Sequence, residues 1–256
     1  MLRTRIIPCL LVKNKGLVKT EKFCNPKYVG DPINAVKIFN EKEADELILL
    51  DIDASVDGRD PDYSMIKKVA LECKMPFCYG GGIKNAMQAL TIISLGVEKI
   101  ALSSSAVLNP SLVTEISKEV GRQSVVVILD IKKKLFGQKY EVWINNGKIN
   151  TKKCPLSLAE ELTEFGAGEI VINSIDRDGT MKGYDIELAK LMRSRIKVPM
   201  TVLGGAGSYD DISSLITEVG VIGSAVGSLF VFKGIYKAVL INYPSYEDKE
   251  RIINPS

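Results

Sequence analysis

The stretch Pro199-Met200-Thr201-Val202-Leu203 is a short apolar run without polar alternation, and it stops at the glycine cluster Gly204-Gly205-Ala206-Gly207. Continuous apolarity over so few residues suits a strand buried on both faces, as in a parallel sheet. The same pattern recurs along the chain. It is found at Ile6–Val12, Glu46–Ile52, Met75–Tyr79 before Gly80-Gly81-Gly82, and Lys99–Leu102 before Ser103-Ser104-Ser105. It returns at Ser124–Asp130, at Glu169–Asn173 before Asp176-Arg177-Asp178-Gly179, and at Val221–Val226 before Gly227-Ser228. Helical patterns lie between these runs. One is Pro32–Glu43 behind an Asp31 cap, one is Pro110–Val120 behind Asn109, and one is Ser157–Phe165, stopped by Gly166. Eight strands alternating with helices predict an α/β fold, a (β/α)8 TIM barrel, with an open doubly wound sheet as the structural alternative.

The two halves repeat. Gly81 and Gly205 are 124 residues apart, and so are Ser104 and Ser228. Each glycine pair ends a strand and each serine follows the next one, which predicts a two-fold half-barrel repeat. One insert breaks the rhythm: Lys139–Asn145, then Asn146-Gly147, then Lys148–Asn150 predict a β-hairpin after the fifth strand. No Pro/Gly/Ser-rich linker divides the chain, so residues 1–256 are expected to form a single barrel domain.

Composition excludes several classes of function. The chain has 256 residues, 46% hydrophobic and 25% charged, with a formal net charge of +3. These proportions suit a globular protein and give no basic face for nucleic acid. Histidine is absent, which removes Ser-His-Asp and Cys-His catalysis and His-ligated metal sites. Proton transfer is left to Asp, Glu, Lys, Tyr, Cys or substrate. The five cysteines lack C-x-x-C spacing, so neither a disulfide framework nor a metal site is expected. No stretch reaches the length of a membrane span, and the N-terminal residues do not read as a signal peptide. The expectation is a cytoplasmic protein without cofactor.

The glycines suggest where a ligand sits. Strand-end glycines expose backbone N–H groups that can cradle a phosphate, and barrels favour such sites after strands seven and eight. Gly204, Gly205, Gly227 and Ser228 match that position, and Gly81, Gly82, Ser103 and Ser104 repeat it across the mouth. Two such sites imply a ligand with a phosphate at each end; the plainer reading is two sets of tight turns. Asp51, Asp130 and Asp176 each close an apolar run and could act as acid or base, or simply cap a loop. Half-barrel symmetry asks for a partner to Asp130 at the end of strand one, where Leu11 stands.

Together these residues resemble HisF, the cyclase subunit of imidazole glycerol-phosphate synthase, from Arg5-Ile6-Ile7 to about Phe232. Leu50-Asp51-Ile52, Gly80-Gly81-Gly82-Ile83, Ala106-Val107 before Asn109-Pro110-Ser111-Leu112, Ser174–Thr180 and Gly204–Gly207 carry the likeness. The resemblance implies a barrel that binds a bis-phosphate ribonucleotide aldimine, with Gly179 among the phosphate-binding residues, and Lys19, in the loop after strand one, Asp51, Asp176 and Asp178 near the substrate. It implies a HisH-type glutaminase on the N-terminal face, beside Glu98, and ammonia passing through the barrel past a gate of Arg5, Glu46, Lys99 and Glu169. It also implies two catalytic aspartates. Asp130 is one, but Leu11 holds the place of the other, in a segment that aligns without a gap. Asn173 and Leu203 replace smaller hydroxylated residues.

Gate kept and acid pair broken, the chain resembles a HisF paralogue of the acetamidino type. There, ammonia goes to a separate ATP-dependent amidotransferase that modifies surface-polysaccharide sugars. A working cyclase of histidine biosynthesis, a sugar isomerase of the HisA type and a non-catalytic scaffold for a phosphorylated ligand are the other readings.

Overall fold

The computed structural model describes residues 3–134 and 139–254; Met1 and Leu2 of the N-terminal segment lie outside them. β1 (Arg5–Lys13) is followed by an antiparallel ribbon, β2 (Gly16–Glu21) and β3 (Cys24–Gly30), before α1 (Pro32–Glu41). Next come β4 (Leu47–Asp51), α2 (Tyr63–Glu72), β5 (Phe77–Gly80), α3 (Ala86–Ser94) and β6 (Lys99–Leu102). α4 (Ser104–Leu108) and α5 (Ser111–Val120) lead to β7 (Val125–Lys133) and a second ribbon, β8 (Tyr140–Ile144) and β9 (Ile149–Asn150). α6 (Pro155–Glu164), β10 (Glu169–Ser174), α7 (Ile186–Arg193), β11 (Met200–Leu203), α8 (Tyr209–Val219) and β12 (Gly223–Val226) complete the alternation. A short hairpin, β13 (Phe232–Lys233) and β14 (Ala238–Val239), precedes α9 (Tyr246–Ile253).

The eight predicted runs are β1, β4, β5, β6, β7, β10, β11 and β12. All eight pair in parallel and in chain order, and β12 closes on β1. The fold is a (β/α)8 barrel. Side-chain alternation splits its apolar residues into two sets. Outward residues join the helices in the larger core, while Ile7, Cys9, Ile48, Cys78, Ala101, Val126, Ile128, Val171, Leu203 and Ala225 fill the lumen.

Local chemistry explains the helix starts. Asp31 accepts from the Asn34 amide, with Pro32 in the first turn. At α5 the expectation needs correction. The cap is Pro110, without a side-chain bond, and Asn109 Oδ1 accepts from the Ser111 hydroxyl instead. α6 starts at Pro155, two residues before the predicted Ser157. The ribbon β2–β3 carries no Asn-Gly turn, and its sequence reads as a loop where the structure has two strands. Its reversal uses Lys22 and Phe23 with positive φ. No helix among the described residues is long and apolar enough to cross a membrane.

The half-repeat extends to the ribbons. β1 and β7 each run nine residues. In β1 the outer antiparallel ladder opens at Leu11, opposite Val18; in β7 it opens at Asp130, opposite Trp143. Leu11 and Asp130 therefore occupy matching positions, and Leu11 stands where symmetry would place a second carboxylate.

Candidate functional site

At the N-terminal end of the lumen four charged residues meet. Arg5 bonds Glu46 and, at 2.7 Å, Glu169; Lys99 bonds Glu46 at 2.8 Å and Glu169 at 2.9 Å. Three of them open β1, β6 and β10, and Glu46 directly precedes β4. Each therefore points into the same layer. Two cations and two anions close a neutral ring. Burial alone would raise the Glu169 pKa, but Arg5 and Lys99 outweigh it and hold the carboxyl down at about 2. Thr201 was missed in the sequence: its hydroxyl donates to Glu169 Oε1 at 2.6 Å. Glu98 lies at the same end, exposed, and accepts from the Phe77 amide at 2.7 Å.

At the C-terminal end one cavity gathers most of the expected residues. Leu11, Lys19, Asp51, Gly81, Gly82, Ser103, Ser104, Asp130, Asp178, Gly179, Gly204, Gly205, Gly227 and Ser228 all line it. Gly81 and Gly205 have φ of 129° and 115°. A Cβ on Gly81 would fall 2.6 Å from the Asp51 carbonyl, so only glycine fits there. Asp211 takes the amides of Gly207 and Ser208. Those of Gly205 and Ala206 remain without a partner among the described residues and suit an anion.

Asp130 borders this cavity with protein on its other sides. Burial pushes its carboxyl up to about 7, against the opposing effects of hydrogen bonds from Asn173 (2.9 Å) and Ser103 (3.4 Å). The folded protein thus keeps this proton up to about pH 7, whereas the unfolded chain loses it near 3.8. Stability must fall as pH rises across that window, by at most about 4 kcal/mol at about 1.4 kcal/mol per pH unit. Asp130→Asn is expected to remove this loss. In urea denaturation its advantage over wild type should be larger at pH 8 than at pH 4.5; an advantage unchanged with pH contradicts the argument.

The β2–β3 ribbon folds over the mouth. Asp178 latches it, accepting from the Thr20 hydroxyl (2.9 Å) and the Phe23 amide (3.2 Å), while its carbonyl accepts from the Lys22 amide at 2.9 Å. Burial raises the Asp178 pKa, partly offset by Lys19. Lys19 lies in strand β2 rather than in a loop, and its ammonium donates to the Cys9 carbonyl at 2.7 Å, beside Gly227. Burial lowers its pKa.

One expectation changes. Asp176 does not line the cavity: its carboxylate turns outward and accepts from the Lys133 amide at 2.8 Å, tying the loop to β7. Asp51 does reach the cavity, and its oxygens accept from the Ala54 amide (3.1 Å) and Arg59 (3.2 Å), which cap its own loop.

The cavity can therefore seat an anion at the Gly205 and Ala206 amides and offers one carboxyl that titrates near neutrality. Comparisons with known proteins agree with this geometry. A family model described as "Histidine biosynthesis protein" matches residues 5–237. A Leptospira interrogans protein provisionally named imidazole glycerol phosphate synthase subunit HisF is 59% identical over 98% of this chain and 99% of its own. A Vibrio vulnificus protein provisionally named subunit hisF3 is 55% identical over 99% of this chain and 97% of its own. The imidazole glycerol phosphate synthase subunit HisF of Prochlorococcus marinus strain MIT 9515 is 36% identical over 100% of this chain and 99% of its own. The chain belongs to the histidine biosynthesis protein family, as a HisF paralogue and a barrel subunit of the imidazole glycerol phosphate synthase type.

Proposed function

We propose that the chain carries ammonia from a HisH-type glutaminase, docked at the N-terminal face beside Glu98, through the lumen to an acceptor at the mouth. The acceptor reaction is amidine (acetamidino) modification of a surface-polysaccharide sugar by a separate ATP-dependent amidotransferase in the cytoplasm. Arg5, Glu46, Lys99 and Glu169 gate the base. Gly81, Gly82, Ser103 and Ser104 hold one phosphate of a bis-phosphorylated ligand, and Gly204, Gly205, Gly227, Ser228 and Lys19 the other, with Gly179 and Asp178 closing the lid. The observation that carries this reading is a complete charged ring at the base opposite an incomplete acid pair at the mouth, Asp130 facing Leu11.

An apolar lumen passes neutral ammonia and resists ions, because an unpaired charge there is costly to desolvate. Size-exclusion chromatography with a HisH-type glutaminase from the same source is the first test. A one-to-one complex, with glutaminase activity raised by the bis-phosphate ligand, is expected. Absence of both the complex and the stimulation would reject the proposal.

One observation favours a second reading, the working cyclase of histidine biosynthesis. A carboxyl titrating at about 7 can both give and take a proton near neutral pH, so Asp130 alone could serve both steps slowly.

A further inference from the structure

β13 and β14 form a two-stranded sheet of their own and share no ladder with the barrel sheet. The hairpin follows Gly227 and Ser228, which line the mouth cavity, and it lies against the β2–β3 ribbon, whose Lys19, Thr20 and Phe23 line the same cavity. Lys27 donates to the Lys237 carbonyl at 3.4 Å and sits 5.2 Å over the Phe232 ring, while Lys237 pairs with Glu21 at 3.9 Å. Ribbon tip and hairpin therefore make one contiguous rim beside the mouth. Ile235 and Tyr236 at the hairpin tip are 88% and 89% exposed, the two most exposed large apolar residues among those described, and Val239 and Leu240 are half exposed on the same hairpin. Apolar side chains clustered in water in this way mark an interaction site. The charge is equally uneven. Segments 21–27 and 232–240 hold Lys22, Lys27, Lys233 and Lys237 against Glu21 alone, a net +3 that equals the charge of the whole chain. The remainder is neutral on balance, so the positive field gathers at this rim.

We propose that this rim is the docking surface for the acceptor enzyme, the ATP-dependent amidotransferase, which meets it with an acidic face and an apolar pocket for the hairpin tip. The inference rests on the conduit reading above. Ammonia released into neutral water is protonated and no longer nucleophilic, so a conduit serves its acceptor only where the acceptor covers the exit. The rim borders that exit, and a glutaminase beside Glu98 at the opposite end leaves it free. Lysines alone would suit the steering of a phosphorylated ligand into the mouth, but a small anion gives no reason to expose Ile235 and Tyr236. Apolar and tyrosine anchors with charge around them suit a protein: the anchors supply affinity, and the charges orient and speed the encounter.

The test uses the full chain, alone and mixed with the HisH-type glutaminase, and measures binding of the amidotransferase from the same source by isothermal titration calorimetry. Binding that weakens as salt rises is expected, with Kd raised at least about tenfold when Ile235→Ser is combined with Tyr236→Ser. Both side chains stand almost wholly in water, so the variant is expected to fold and to keep its glutaminase complex. With all three proteins present, the variant should yield less product from glutamine, while product from excess ammonium salt stays unchanged. Equal affinity in wild type and variant, or no binding by wild type, would overturn the docking surface. So would binding to vesicles of phosphatidylcholine and phosphatidylglycerol in place of the amidotransferase, which would assign the rim to an anionic membrane. Amidotransferase binding without any glutaminase complex would reject the conduit and keep the surface, while a glutaminase complex without amidotransferase binding would reject the surface alone.

Discussion

Supplied with the bis-phosphate ribonucleotide aldimine and excess ammonium salt, the purified chain is expected to turn over at least about 100-fold more slowly than a HisF carrying both aspartates. Excess ammonium bypasses the glutaminase, so only the chemistry at the mouth is measured. A positioned acid or base contributes about 10²–10⁴-fold, and a leucine contributes none of it. The structure removes the simplest escape. Leu11 opens the β1–β2 ladder as Asp130 opens the β7–β8 ladder, so no neighbouring carboxylate takes the vacant place by a register slip. Asp51 is tied to Arg59 and its own loop, and Asp176 is turned outward. Leu11→Asp is expected to recover at least about tenfold where the phosphate sites still seat the substrate. No recovery would show that Asn173, Leu203 and the other changed residues have remade the pocket. Turnover by the unaltered chain at the rate of its two-aspartate relatives would reject the proposal that cyclisation has been given up.

The second large effect is expected at the base. Glu169→Ala leaves Arg5 and Lys99 with Glu46 as their sole carboxylate in the ring and frees the Thr201 hydroxyl. Removing one member of a buried ionic cluster costs about 3–5 kcal/mol, because the desolvated partners stay unpaired. The two cations keep some exposure, which favours the lower figure. The pH dependence has a definite sign. Glu169 titrates at about 2 in the fold and near 4.5 when unfolded, so its contribution is complete above about pH 4.5 and is lost as pH falls towards 2. The urea stability gap between wild type and Glu169→Gln should therefore shrink between pH 6 and pH 3. The same variant tests the gate. With amide-¹⁵N glutamine, the HisH-type glutaminase and excess unlabelled ammonium, wild type should deliver mostly labelled nitrogen to the acceptor and the variant much less. Equal labelling in both would show that the ring supports the fold without gating ammonia.

How much was legible in advance differed between backbone and side chains. The eight strands could be read because parallel strands buried on both faces show unbroken apolar runs, and the β8–β9 hairpin because Asn146-Gly147 tolerates positive φ. The β2–β3 ribbon was not legible. Lys22 and Phe23 make its reversal without turn chemistry of their own, and the ribbon is held by Asp178, more than 150 residues away. The glycines pointed to the mouth because only glycine accepts those φ values at strand ends. Asp176 and Asp130 looked equivalent as strand-end carboxylates; one side chain turns out to a β7 amide and the other in to the cavity, a difference of facing that pattern alone does not carry.

Sequence by itself determined the (β/α)8 alternation, the half-repeat and the absence of an acid at Leu11, since each follows from residue type and spacing along one chain. Only the tertiary structure decided that Arg5, Glu46, Lys99 and Glu169 close a ring with Thr201, that Asn173 is left with an unpaired oxygen, and that Asp130 titrates near neutrality. Those properties come from groups tens of residues apart brought within about 3 Å and from the water excluded around them, and burial and proximity exist only once the barrel has closed.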